Sequence, residues 1–147
     1  MKKKVEPETL EEHIVSGGAL MYVRVWHVAR VRLRVTGAHD IRPADWGVSG
    51  VLGGRADPYC KVKYQGKQVA KTKVCNSTLD PCWNAVFEFT VPTHAPTEGE
   101  AADLLVEVFD HDLVGSDDFL GCAVIPHEHL LRPHPGGVYE LGPAFNA

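Results

Sequence analysis

At 147 residues the chain is long enough for one domain that buries its own core. Its 44% hydrophobic and 23% charged residues are ordinary for a soluble globular chain, and a net charge of −4 argues against general nucleic-acid binding, which wants a basic face. No stretch has the run of about 18 apolar residues that a membrane-spanning helix needs.

Met1-Lys2-Lys3-Lys4 leads into acidic residues rather than an apolar core, so no secretory signal is legible and a cytoplasmic location is expected. Cys60, Cys75, Cys82 and Cys122 contain no C-x-x-C pair and are expected as reduced thiols packed as small hydrophobes. Residues 1–17 are polar and poor in aromatics. They read as a flexible or loosely docked arm, with the domain proper at 18–147.

Ala19 to Trp26 alternates and predicts a strand. Arg30 to Thr36 alternates cleanly, with Val31, Leu33 and Val35 facing one way and Arg30, Arg32 and Arg34 the other. The short connection at 27–29 predicts a hairpin between these two strands. Residues 37–56 form a long first loop, rich in glycine at Gly47, Gly50, Gly53 and Gly54.

Tyr59 to Tyr64 and Val69 to Val74 flank Gln65-Gly66-Lys67, a turn signal, and predict a second hairpin. Residues 75–82 are a loop, Ala85 to Val91 a strand, and 92–100 a surface connection with two prolines and a glycine. Asp103 to Phe109 and Phe119 to Ile125 predict strands around an acidic loop. Residues 126–135 connect, with room for one helical turn, to a last strand at Gly137 to Leu141. Eight short strands separated by turn signals predict an all-β, eight-stranded antiparallel β-sandwich.

The acidic loop carries Asp110, Asp112, Asp117 and Asp118 within nine residues. Carboxylates so close repel one another unless a cation lies between them, and a hard cation that takes many oxygens, Ca²⁺, suits them best. Side chains two apart on an extended chain share a side, so Asp110 and Asp112 leave the strand together. The bland alternative is a solvated acidic turn. Upstream, Asp57 precedes Pro58 at the mouth of another strand, and Asp45 stands further back.

The sequence then resembles a C2 domain, the calcium- and phospholipid-binding β-sandwich found in protein kinase C and synaptotagmin. The matching pieces occur in the family order. They are Asp57-Pro58-Tyr59-Cys60-Lys61-Val62-Lys63, Lys71-Thr72-Lys73, Leu79-Asp80-Pro81-Cys82-Trp83-Asn84 and Phe87-Glu88-Phe89. Val106-Glu107-Val108-Phe109-Asp110-His111-Asp112 and Asp118-Phe119-Leu120-Gly121 complete the set, and the resemblance covers about Gly18 to Leu141. It implies a Greek-key sandwich. The full strand before Val31 resembles the synaptotagmin-like permutation.

The resemblance also implies a metal site made by Asp45, Asp57, Asp110, Asp112 and Asp118, which could hold two Ca²⁺ ions through bridging carboxylates. Eleven residues separate Asp45 from Asp57, more than in most family members, and Asp40 is an alternative first ligand. A serine ligand common in the family falls at Gly115, with Ser116 one residue late, so a third ion is not expected.

Lys61 and Lys63 share one face of their strand, and Lys71 and Lys73 do so on the next. If those strands pair, four ammonium groups and Tyr59 could seat a phosphoinositide head group; the alternative is a solubilising strand face. Trp46, Val48, Val51 and Leu52 in the first loop, with Leu113 and Val114 beside the acidic cluster, are apolar side chains at loop tips and are expected to enter a membrane. Trp83 and Asn84 resemble the family's packed pair, a core anchor and a turn-fixing amide. His127, His129 and His134 read as surface histidines rather than zinc ligands.

No nucleophile motif such as G-x-S-x-G occurs, so no enzyme is expected in this chain, although a larger host could carry one. The reading is calcium-dependent binding of anionic phospholipid, phosphatidylserine or phosphoinositides, by a peripheral membrane module. A calcium-independent protein-interaction domain is the rival.

Overall fold

The computed structural model describes residues 10–14, 18–25, 27–43, 54–94, 103–132 and 137–143. Asp45, Trp46, Val48, Val51 and Leu52 of the first loop lie outside them.

Alternation in the strands makes two apolar sheet faces, which bury each other. Strand β3 (Val28–Gly37) pairs antiparallel with β6 (Cys82–Pro92). The second sheet has the order β5-β4-β7-β8, from β4 (Pro58–Tyr64), β5 (Lys67–Lys71), β7 (Leu104–Asp110) and β8 (Asp118–Ile125). Every pair in it is antiparallel. Val31 and Val91 from the first sheet join Cys60, Val62, Leu104, Val106, Val108 and Ala123 from the second in one buried cluster. Leu33, Phe87 and Phe89 pack against it. Each fully buried aliphatic side chain contributes about 1.5–3 kcal/mol, so this cluster supplies most of the driving force.

The turn between β4 and β5 lies where the Gln65-Gly66 signal predicts. Gln65 has φ 50° and Gly66 φ 74°, so both central residues are left-handed, as a tight primed hairpin turn needs. The second strand of that hairpin is β5 at Lys67–Lys71 rather than 69–74. Beyond it the Thr72 N–H still bonds Cys60 O (2.9 Å) and the Cys75 N–H bonds Pro58 O (2.9 Å), so the chain stays beside β4.

The expected hairpin between Ala19–Trp26 and Arg30–Thr36 does not form. Strand β2 (Leu20–Arg24) pairs with β1 (Leu10–Ile14), inside the expected arm, and with no other strand among the described residues. β3 pairs with β6 instead, because Val31↔Phe89, Leu33↔Phe87 and Val35↔Ala85 put apolar partners on the same core face. Among the described residues the two packed sheets therefore hold six named strands, and β1 and β2 form a separate hairpin.

The expected last strand, Gly137–Leu141, is reduced to one bridge, in which Gly142 and Cys122 exchange N–H···O bonds of 2.9 and 3.0 Å at the edge of β8. The expected helical turn is α1 (His127–Leu130). His127 is buried in it, not at the surface as expected; Leu130 of the same helix packs against the core and Asp103 accepts the His127 backbone N–H (3.2 Å).

The register of β3 against β6 shifts between Val35 and Gly37. Asn84, exposed in β6, takes φ 46° there, so it shapes a bulge rather than a turn. Gly37 is required at the same place, because a Cβ would collide with the Pro81 carbonyl. Trp83 packs on the core as expected, and its indole N–H bonds Pro58 O (3.0 Å). All four cysteines are free thiols.

Candidate functional site

Pairing alone brings the acids to one end of the second sheet. Asp110, the last residue of β7, lies opposite Pro58 on β4 and Asp118 on β8. The preceding Asp57 gives its backbone N–H to Asp110 Oδ1 (2.8 Å) and receives the Ser77 N–H on its own Oδ1 (2.7 Å). His111 N–H bonds Asp57 O (3.0 Å), and Val114 N–H bonds Asp112 Oδ1 (3.1 Å).

The carboxyl of Asp110 is pushed up from its usual range. Burial is the main cause; the Asp57 N–H opposes it, and the charges of Asp57, Asp118 and Asp112 add to it. Four of the five expected metal residues thus act on one another. Asp45 is outside the described residues. Asp40 has φ 55° and donates its N–H to Asp80 Oδ1 (3.0 Å), which ties it to the 75–82 loop.

Among the described residues no three acidic, thiol or imidazole side chains close to metal-binding spacing; Asp110 and Asp57 accept backbone N–H groups of Asp57 and Ser77 from other loops, and Asp112 accepts that of Val114 within its own. The donors themselves are hard carboxylate oxygens on loops with lone pairs to spare, and that chemistry fits Ca²⁺.

Asp117 has a different role. Its Oδ1 accepts the Asp112 N–H (2.9 Å) and lies 3.5 Å from His111 Nδ1, while its Oδ2 accepts the Tyr59 hydroxyl. The Asp112 N–H first and the Tyr59 hydroxyl second hold this carboxyl below its usual range. Tyr59 in turn is pushed up to about 12, mainly by burial and then by that bond to Asp117. Asp117 therefore braces the loop that carries Asp112 and Asp118. Spacing gives no signal of this, since Tyr59 is 58 residues away.

The lysines share a face as expected, but not equally. Lys61 lies directly opposite Lys71 in the register. Lys61 Nζ sits 4.5 Å from the Phe109 ring centre and Lys71 Nζ 5.2 Å from that of Tyr59, and the two rings stack at 5.9 Å. Lys63 is taken by Glu107, with Nζ 2.6 Å from Oε1. Lys73 is exposed on the same side as Lys71, with buried Thr72 between them. Tyr59, expected to meet a ligand, is only 2% exposed. At the loop tip, Leu113 is 91% and Val114 84% exposed, beside the acids.

No helix among the described residues is long and apolar enough to cross a membrane. Among the described residues His127 and His129 join no metal group, and His129 Nδ1 lies 3.1 Å from the Tyr139 hydroxyl; His134 lies outside the described residues.

The chain is similar to several known proteins. Ras GTPase-activating protein 4 of Homo sapiens is 34% identical over 119 residues, 79% of this chain and 13% of that protein. Extended synaptotagmin-1 of Mus musculus is 42% identical over 91 residues, 62% of this chain and 8% of that protein. The chain thus spans a small part of the curated relatives it matches. A calcium-bound structure of two C2 domains of extended synaptotagmin 2 superposes with a TM-score of 0.52 at 33% identity, covering 65% of this chain and 33% of that one. The family model described as "C2 domain" matches residues 29–141, most of the two packed sheets and their loops, and this chain belongs to the C2 domain family.

Proposed function

We propose that this domain binds anionic phospholipid membranes in a calcium-dependent manner, as a peripheral module without catalysis of its own. The observation that carries the reading is the crowding of Asp57, Asp112 and Asp118 around a part-buried Asp110, next to exposed Leu113 and Val114. The calcium-bound relative supports it.

Asp57, Asp110, Asp112 and Asp118, with Asp45 from the first loop, would hold two ions. When bound, Ca²⁺ supplies positive charge between the carboxylates and open positions for lipid phosphate oxygens. Without such charge the four acids at this end repel an anionic surface. Leu113 and Val114 have no core to enter, and in this reading they meet the acyl boundary together with Trp46, Val48, Val51 and Leu52. Recruitment would take the protein from the cytoplasm to an anionic leaflet.

Sedimentation with phosphatidylserine vesicles tests this. Wild type is expected to pellet with Ca²⁺ and stay in solution with a chelator. Leu113→Ser with Val114→Ser should weaken pelleting about tenfold while leaving Ca²⁺ binding intact, since burial of each side chain is worth about 1.5–3 kcal/mol at most. Equal pelleting with and without Ca²⁺, or none in either, overturns the reading and leaves the protein-interaction domain.

The lysine face adds the second part of the proposal, a phosphoinositide seat at Lys61, Lys63, Lys71 and Lys73 beside Tyr59. Each lysine near an anionic surface is worth about 1 kcal/mol. Replacing all four by Ala should remove any preference for phosphoinositide over phosphatidylserine vesicles. Among the single changes, Lys63→Ala should matter least, because Glu107 already pairs that charge. Unchanged lipid selectivity in the quadruple variant would reduce the patch to a solvated strand face.

A further inference from the structure

We infer that Asp117 is a built-in competitor for the lysine face: its carboxylate takes the donors at the Tyr59 end, so it limits which inositol phosphates the face accepts. The inference rests on the reading of that face as a head-group seat.

The two oxygens of Asp117 are both committed to the protein. Oδ1 has the Asp112 N–H at 2.9 Å and His111 Nδ1 at 3.5 Å, and Oδ2 has the Tyr59 hydroxyl. The Tyr59 ring is enclosed by its neighbours. Phe109 stacks on it at 5.9 Å, His111 meets it edge-on at 6.2 Å, and Lys71 Nζ lies over it. The ammonium groups of Lys61 and Lys71 therefore rest on two stacked rings, and the hydroxyl of one ring ends on a carboxylate.

A carboxylate that accepts a hydroxyl and a backbone N–H and lies 3.5 Å from an imidazole nitrogen occupies donors that a phosphate could use. A phosphate reaching along the face toward Tyr59 must displace Asp117 or meet its like charge. At the other end Glu107 neutralises Lys63. Two carboxylates thus bracket Lys61 and Lys71, and with Lys73 these remain for a compact head group. Each added phosphate costs repulsion.

Asp117→Asn separates charge from geometry. The amide oxygen can still accept the Asp112 N–H and the amide NH₂ can donate to the Tyr59 hydroxyl oxygen, so both contacts can persist while the negative charge is gone. Titration calorimetry with inositol 1,4,5-trisphosphate in a chelator is expected to show about fivefold tighter binding by Asp117→Asn than by wild type, the worth of one charge near an anionic group. The gain is measured as well with vesicles carrying a phosphoinositide: a gain confined to the vesicles marks the lipid headgroup as the ligand, and one confined to the free inositol phosphate marks the soluble form.

A loop brace and nothing more would give equal or weaker binding, and that result overturns the competitor role. The double variant Lys61→Ala, Lys71→Ala separates the two failures. If it keeps wild-type affinity, or if neither wild type nor Asp117→Asn binds, the head-group seat falls and the competitor with it. If the double variant loses binding but Asp117→Asn equals wild type, only the competitor falls.

Discussion

Calcium at about 100 times its dissociation constant is expected to stabilise the domain by roughly 2.7 kcal/mol. For a domain of this size that is a rise of roughly 5–10 °C in melting temperature. The reason lies in Asp110. Its carboxyl is held in a part-buried place among the charges of Asp57, Asp112 and Asp118, and only the Asp57 N–H relieves it. Charge placed between these groups removes a repulsion that the unfolded chain does not feel. Mg²⁺ at the same concentration should do much less, because it demands near-octahedral geometry and gives up its waters reluctantly.

Replacing both Asp110 and Asp112 by Asn should abolish the shift. The same change should leave the calcium-free protein as stable as wild type or more so, since it removes like charges while an amide oxygen can still accept the Asp57 N–H. Thermal unfolding in millimolar Ca²⁺ against a chelator measures both. An unchanged curve for wild type would discard the calcium site.

The second large effect concerns the core. Leu104 is 0% exposed and lies opposite Tyr64 on β4 and Ile125 on β8. Leu104→Ala should cost about 2–5 kcal/mol, the lost transfer free energy plus a cavity that stiff neighbours only partly fill. That is a large part of the roughly 5–15 kcal/mol of a typical domain. Leu113→Ala, the same chemical change on a side chain 91% exposed, should stay within about 0.5 kcal/mol. Urea unfolding of the two variants makes the comparison. A cost below about 1 kcal/mol for Leu104→Ala would mean that the two sheets do not pack through this residue.

Period-two alternation was enough to place the strand from Val31 to Val35 and its inward face, because each inward residue is apolar and each outward one is arginine. The Gln65-Gly66 pair was enough for the hairpin after Tyr64, because its two left-handed residues set a tight turn locally. The acids of the loop after Phe109 were legible as a crowded set, and the order of the motifs around them was enough for the family. All of these signals are local in the chain or repeat along it.

What lay beyond reach was the choice of partners. The 27–29 connection suggested a hairpin, but β3 joins β6, because register is decided by which faces bury each other rather than by which ends are near. Four lysines on two strands looked equivalent, yet Glu107 on β7 pairs with Lys63 and leaves Lys61 and Lys71 on aromatic rings. Asp117 and Asp118 are neighbours of one type, and the bonds from the Asp112 N–H and the Tyr59 hydroxyl make the first a brace while the second stays in the crowded acidic set. The sequence by itself determined the strands, the core face and the kind of chemistry at the acidic loop, since those follow from composition and period. Tertiary structure decided which charges remain free to act, because pairing across strands far apart in the chain consumes some and spares others.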